Sequence, residues 1–247
     1  MKTITSKTNE EIKSVCALHD RKGREAQSKF MAEGLRTVTT MVKNGMKPVQ
    51  LYVIQELLAD AQRLVNESII TIVAETVMEK MSAATSPSGY LAVFEIPSQP
   101  SFGKLDSGIL LANITDPGNM GTLIRTASAL NLKSAVIVDG VDVWSPKVIQ
   151  ASAGAIAFMD IYTPTWQIVV KWKKEIKLCA LVTKGGKNPA DMNFEKTLLI
   201  VGNEATGIAP EWLRDCDEYM TIPMPGKTES LNAGVAGSIG LYLAFGK

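Results

Sequence analysis

The sequence predicts an α/β protein: a mostly parallel sheet in the C-terminal part, preceded by a smaller α/β domain. Three observations predict it. Short apolar strands alternate with helical segments along the chain, a pattern that argues for a parallel sheet covered on both faces. Residues 96–107, IPSQPSFGKLDS, have the Pro, Gly and small polar composition of a linker. The 247 residues, 46% of them hydrophobic and 21% charged, suit one large domain or two small ones and supply a core. The expected division is residues 1–95, a linker at 96–107, and a second domain at 108–247.

In the first domain, residues 9–18 read as a helix and 30–32 as a short strand. A second helix spans 35–43, with Gly45 placed to end it. Strands follow at 49–54, 69–73 and 90–94, each apolar and rich in β-branched or aromatic residues, with a helix at 56–65. The second domain alternates more regularly. Residues 109–114 form a strand and 119–130 a helix with Asn119 as N-cap. A strand at 135–138 leads to a helix at 145–153, with Ser145 as N-cap and Pro146 at its first position. Strands at 178–182 and 198–201, a short helix at 210–214 and a strand at 219–222 come next. A long helix at 230–245, with Ser230 as N-cap, closes the chain.

Several function classes are excluded. No run of 18 apolar residues occurs, so no membrane-spanning helix is expected. The opening MKTITSKTNEEIK has no apolar stretch of a secretory signal. Cys16, Cys179 and Cys216 are far apart and form no CxxC pair, which fits a reducing, cytoplasmic setting. The single histidine, His19, argues against a histidine-built metal site or a His-dependent triad, and no metal is expected. No G-x-G-x-x-G follows a strand, and no G-x-x-x-x-G-K-[ST], HExxH or GxSxG occurs.

The net charge of +1 hides an asymmetry. Residues 1–50 hold ten Lys and Arg against five Asp and Glu, whereas residues 51–100 hold two against six. The basic excess centres on Arg21, Lys22, Arg24, Lys29 and Arg36. It reads either as a solvated helix face or as a phosphate-binding patch. Trp144, Trp166, Trp172 and Trp212 read as packing residues. Only Trp172, within KWKK, interleaves with basic residues as a base-stacking platform would. His19 reads as structural.

Three segments break local rules. In TDPGNMGTLIR (115–125), Gly121 sits early in a helix, where it costs about 0.5–1 kcal/mol relative to Ala. In LLIVGNEATG (198–207), an apolar strand runs into Gly202, Glu204 and Gly207, at the strand end where open α/β sheets bind ligands. In TIPMPGKTESLNAGVAGSIGLYLAF (221–245), a proline- and glycine-stiffened bend precedes a helix with Ala233, Ala236, Gly237 and Gly240 on one face. Each also has a bland reading: a capped helix with a surface Arg, a flexible loop, a tightly packed helix.

Taken together, these segments resemble the SpoU (TrmH-like) family of RNA 2′-O-ribose methyltransferases, within the SPOUT superfamily. The matching motifs are Asn119-x-Gly121-x-x-x-Arg125, Gly202-x-Glu204-x-x-Gly207 and Ile222-Pro-Met-x-Gly226-x-x-x-Ser230-Leu231-Asn232. ASAGA at 151–155 and FMAEGLRTV at 30–38 also look like the family and its front substrate-binding domain. The resemblance implies a deep trefoil knot near the C-terminus and S-adenosylmethionine bound by the knot loops. It implies a homodimer, and as substrate a ribose 2′-hydroxyl in structured RNA, ribosomal RNA in preference to transfer RNA. Gly202, Gly207, Ile222, Gly226 and Leu231 match cofactor-contacting positions. Asn119, Arg125, Glu204, Ser230 and Asn232 match catalytic and RNA-contacting ones. Under the resemblance, Arg21, Lys22, Arg24, Lys29 and Arg36 become expected RNA contacts. One departure stands out: the family continues S-L-N-V-S-V-A, and here the run is Ser230-Leu-Asn-Ala233-Gly234-Val-Ala236. A lost hydroxyl at Gly234 motivates the alternative of an RNA-binding protein that keeps the fold without methyl transfer. A nucleotide-dependent metabolic enzyme is disfavoured by the missing fingerprints.

Overall fold

In the computed structural model, which describes residues 1–226 and 230–246, the chain begins β1 (Lys2–Ile4), α1 (Glu10–Cys16), α2 (Arg21–Gln27), β2 (Lys29–Glu33) and α3 (Leu35–Lys43). It continues β3 (Pro48–Val53), α4 (Leu58–Leu64), β4 (Ile70–Val73), α5 (Glu75–Met81) and β5 (Tyr90–Glu95). Then come β6 (Gly108–Ala112), α6 (Pro117–Ala129), β7 (Ser134–Val138), α7 (Pro146–Ser152), β8 (Asp160–Tyr162) and α8 (Trp166–Trp172). The chain ends β9 (Lys177–Leu181), β10 (Thr197–Gly202), α9 (Pro210–Asp215), β11 (Glu218–Met220) and α10 (Ala233–Phe245). These elements form two compact units: Met1–Pro97 with Trp144–Ala157, and Ser98–Val143 with Phe158–Lys247.

The first unit holds a five-stranded sheet in the order β1-β4-β3-β5-β2. β1, β4 and β3 run parallel, and β5 runs antiparallel to both its neighbours. β5, YLAVFE, is buried from Tyr90 to Phe94, as an interior strand requires. Within this unit the Trp144 ring lies on Phe30, with centroids 4.8 Å apart, so it packs a core.

The second unit holds a six-stranded sheet in the order β11-β9-β10-β6-β7-β8, every pair parallel. GILLA, SAVIV and TLLIVG in β6, β7 and β10 are buried almost throughout, the near-continuous apolar runs of a sheet covered on both faces. On one face Trp166, Trp172, Tyr162 and Val169 pack together, with Trp212 stacked on Trp166 at 4.8 Å. On another, α10 lies against α6 and the sheet. Its glycines set that distance: a Cβ on Gly240 would stand 3.2 Å from Leu199 and Met220 methyls. The stripe of small residues is therefore used for packing within the unit. β6 leads on to β7 on one side, while β10 and β9 lie on the other. The β6/β10 boundary is thus the switch point of the sheet, where such folds bind ligands.

Five elements have no counterpart in the sequence pattern: β1, α2, α5, β8 and α8. Two expected caps are corrected. Asp116 caps α6, its Oδ1 accepting from the Asn119 N–H at 2.7 Å, and Asn119 stands inside the first turn. Asn232 caps α10, its Oδ1 accepting from the Val235 N–H at 3.2 Å, while Ser230 lies two residues upstream. Lys227–Glu229, within the third motif, lie outside the described residues.

Candidate active site

The site is built where the chain leaves β6 and β10. After β6, Asn113 turns the backbone at φ +56°, and Thr115 and Asp116 lead into α6. After β10, Gly202–Ile208 folds back on itself. Asn203 and Gly207 exchange two backbone hydrogen bonds of 3.0 Å, with Gly207 at φ +69°. A Cβ on Gly202 would sit 2.5 Å from the Gly207 carbonyl carbon, so the glycine is required by its own loop. The Asn203 side chain fixes this loop, accepting from the Ala205 and Thr206 N–H groups and donating to the Asn113 carbonyl at 2.9 Å.

That loop presents Glu204 to the start of α6. Its carboxylate accepts from the Asn119 amide at 2.9 Å, the Thr115 hydroxyl at 3.0 Å, and the Thr115 and Asp116 N–H groups at 3.3 Å. Burial pushes its pKa up, but hydrogen bonds from Asn119, its own backbone and Thr115 outweigh this and hold the carboxyl below its ordinary value. Glu204 is thus a fixed anion near the N-terminus of a helix, where negative charge is favoured.

Beside Glu204 opens a cavity of about 350 Å³. The ends of β9 and β10 supply Leu181–Thr183 and Val201–Gly207. The third motif supplies Ile222, Met224, Ser230 and Leu231, and α10 supplies Ala233 and Ala236. The lining mixes apolar side chains with exposed backbone, as small-ligand sites do. Glu204 and Ser230 thus meet in one cavity with Gly202, Gly207, Ile222 and Leu231. Asn119 and Asn232 are not among its lining residues; a Cβ on Gly234 would stand 2.8 Å and 3.1 Å from their Oδ1 atoms. Gly226 is exposed and is not among the lining residues. Arg125 lies further along α6 with its side chain exposed.

Asn119 meets Glu204 here from 85 residues upstream, and the third motif follows the second closely in sequence. The profile of the SpoU rRNA Methylase family matches residues 107–242, and that of the MRM3-like substrate binding domain matches residues 9–92. The chain belongs to the SpoU rRNA methylase family. This SpoU-family chain is 26% identical over 251 residues to the 23S rRNA (guanosine(2553)-2′-O)-methyltransferase RlmP of Bacillus subtilis, covering 98% of each protein. It is 28% identical to the 23S rRNA (uridine(2479)-2′-O)-methyltransferase of Streptomyces viridochromogenes, covering 92% of this chain and 86% of that protein. Its fold matches the crystal structure of AdoMet-bound rRNA methyltransferase from Sinorhizobium meliloti with a TM-score of 0.85, at 26% identity over 98% of this chain and 96% of that one.

The basic residues of the first unit are mixed in kind. Arg21, Lys22 and Arg36 are exposed, with Arg21 paired to Glu25 at 2.7 Å, and Lys29 is half-buried. Arg24 is a correction to the expected RNA footprint. It is 3% exposed, and its guanidinium donates to the Leu18 and His19 carbonyls at 2.7 and 2.8 Å. Its charge holds a chain turn together and is withdrawn from solvent. His19 bonds to the Met81 carbonyl at 2.8 Å, a structural contact.

Sequence reading missed Asp116, Asn203 and Thr183 as parts of the site. Asp116 carried a signal, since Asp before Pro117 is the same cap-then-proline pattern as Ser145-Pro146. Thr183 carried none.

Proposed function

We propose that this protein methylates a ribose 2′-hydroxyl of ribosomal RNA, in preference to transfer RNA, and acts in the cytoplasm as a homodimer without a metal. As a family member it is an RNA 2′-O-methyltransferase with S-adenosylmethionine as cofactor. The observation that carries the reading is that the second and third motifs line one cavity at the β6/β10 switch point, to which the first motif is joined by the Asn119–Glu204 hydrogen bond.

The cavity fits the cofactor in kind. Leu181, Val182, Ile222, Met224 and Leu231 give an apolar bed for a heterocycle, and the backbone of 201–207 offers donors and acceptors at its rim. When bound, the cofactor supplies an already electrophilic methyl group. The chain's task is then to hold the attacking oxygen in line and to exclude water. In this reading Gly202, Gly207, Ile222 and Leu231 hold the cofactor, with Gly226 in the same loop. Ser230 and Asn232 contact the substrate.

Glu204 organises the site and does not take the proton. Its acceptor capacity is filled, and its lowered pKa makes it a weak base. Arg125 is not a base either, because a guanidinium stays protonated. It holds the target phosphate and stabilises the developing alkoxide, while the hydroxyl proton leaves to solvent. Arg21, Lys22, Lys29 and Arg36 add affinity without sequence choice, as phosphate contacts do.

The homodimer is supported by α10, whose outer face carries Val235, Ile239 and Tyr242 at 49%, 37% and 64% exposure. These positions, four and three residues apart, share one side of the helix. A trefoil knot at the C-terminus belongs to the same reading.

Tritium transfer from labelled S-adenosylmethionine into purified ribosomal and transfer RNA, assayed separately, tests it. Incorporation into ribosomal RNA alone is expected. Incorporation into transfer RNA alone overturns the substrate preference. Retention of RNA with no incorporation into either favours the binding-protein alternative.

A further inference from the structure

The segment expected as a linker is pinned to the second unit from Gln99 onward. Gln99 Oε1 accepts from the Thr163 N–H and hydroxyl, both at 3.2 Å, and the Tyr162 hydroxyl reaches the Ser101 carbonyl at 3.5 Å. A single turn follows, closed by the Lys104 N–H on the Ser101 carbonyl and the Leu105 N–H on the Phe102 carbonyl. Leu105 packs against the core of the unit. Phe102 is thereby held at the surface. It stays 39% exposed, while Trp172 beneath it is 7% exposed. The two rings stack with centroids 5.4 Å apart and planes 28° from parallel, and Trp172 meets Tyr162 edge-on at 5.9 Å.

Trp172 is the tryptophan that KWKK interleaves with basic residues, yet it is covered, and the aromatic surface open to solvent is that of Phe102. Lys104 follows Phe102 in the same turn, and Lys171 and Lys174 flank the tryptophan. All three are exposed and pair with no described acid, whereas Lys173 is paired to Asp217 at 3.0 Å. The same two segments also carry Asp106 and Glu175, which leaves a small positive excess beside the exposed ring. We propose that Phe102, backed by Trp172, is a stacking platform for an unpaired base of the bound RNA, with Lys104, Lys171 and Lys174 meeting the adjoining phosphates. The assignment rests on RNA being the chain's substrate.

Every base has a π-face, so such a ring binds any unpaired nucleotide, and bases already stacked within a duplex are not available to it. A ring fixed by its neighbour also loses little freedom when the base arrives. The chain reaches Phe102 before entering β6 and Trp172 before entering β9, so the pair lies at the edge of the sheet where the strands begin. The cavity lies where they end. A base held on Phe102 therefore adds to RNA affinity without touching the reacting atoms, and its loss should raise KM for RNA and leave kcat unchanged.

The test uses the full chain and a short oligouridylate carrying 5-iodouridine, which joins to a stacked aromatic ring on irradiation. Mass spectrometry of the crosslinked peptide should find the label on Phe102. Phe102→Leu keeps an apolar cover over Trp172 and removes the ring. Its melting temperature should stay close to wild type, and its affinity for the oligouridylate should fall about tenfold, the scale of one lost base stack. Phe102→Tyr should bind as wild type does. Replacing Lys104, Lys171 and Lys174 by Ala should flatten the salt dependence of binding, which Phe102→Leu should leave alone. Crosslinking confined to other residues overturns the proposal, and so does wild-type affinity in Phe102→Leu. Loss of self-association in Phe102→Leu with RNA affinity unchanged would make the ring a contact between copies and overturn it too. Methyl transfer by the wild-type protein separates the two failures. Transfer without a crosslink at Phe102 sinks the platform alone, and a crosslink there without transfer sinks the methyl-transfer reading alone.

Discussion

The Asn119 amide donates to the Glu204 carboxylate at 2.9 Å across 85 residues of sequence, joining the first motif to the second. The Thr115 and Asp116 N–H groups and the Thr115 hydroxyl converge on the same carboxylate. The relationship makes Glu204 a structural anion as well as a site residue, and its removal should register in stability and in activity.

Glu204→Gln tests this through pH. The folded-state pKa of Glu204 is depressed, so its contribution to stability is present above the unfolded carboxylate value and is lost as pH falls through the folded one. Wild type should therefore melt above the variant at pH 7, and the gap should close as the acid range is entered. Thermal melts of both proteins from pH 7 to pH 3 check it. A gap that stays constant with pH would show that the carboxylate's charge is not what the fold uses.

Arg24 and Lys22 lie two residues apart and should part company. Arg24→Ala removes a buried cation bonded to two carbonyls and should cost about 1–3 kcal/mol of stability. Lys22→Ala, on an exposed side chain, should change stability by less than about 0.5 kcal/mol and weaken RNA binding. Removing Lys22, Lys29 and Arg36 together should flatten the salt dependence of RNA affinity, by about 1 in log–log slope for each phosphate no longer neutralised. An unchanged slope would remove these residues from the footprint.

At Arg125 the question is charge against geometry. Arg125→Lys should keep part of the activity and Arg125→Ala almost none, with S-adenosylmethionine binding unchanged in both by calorimetry. Complete loss in Arg125→Lys, with RNA binding intact, would instead assign the residue a bidentate or proton-transfer role.

The outer face of α10 gives the oligomer a direct test. Ile239→Lys places a charge amid Val235 and Tyr242 and should convert the dimer to monomer in sedimentation equilibrium, without unfolding the chain, because Ile239 is already 37% exposed. Monomeric wild-type protein would withdraw the homodimer.

Much of this is legible in the sequence, and unevenly so. α3 is legible at its observed bounds, because Gly34 and Gly45 bracket an apolar periodicity. β6, β7 and β10 are legible because buried parallel strands are continuous apolar runs. α2 is not, because RKGREAQ buries only Arg24 and has no apolar face to detect. β8 is not, because three residues carry no period. In the site, the glycines and Glu204 declare themselves by breaking local rules. The grouping of Thr115, Asp116 and Asn203 about them does not, because it depends on β6 and β10 being neighbours, and adjacency in a sheet is not written in either strand.

The central claim is that the cavity beside Glu204 delivers a methyl group to a ribose oxygen. A 2′-O-methyl group blocks alkaline cleavage of the following phosphodiester, because it removes the attacking hydroxyl. The direct measurement is therefore alkaline hydrolysis of RNA labelled by this protein from tritiated S-adenosylmethionine, with Arg125→Ala as control. The expected result is label in alkali-resistant dinucleotides, absent from the control. Label released entirely as mononucleotides would place the methyl group on a base and contradict the account.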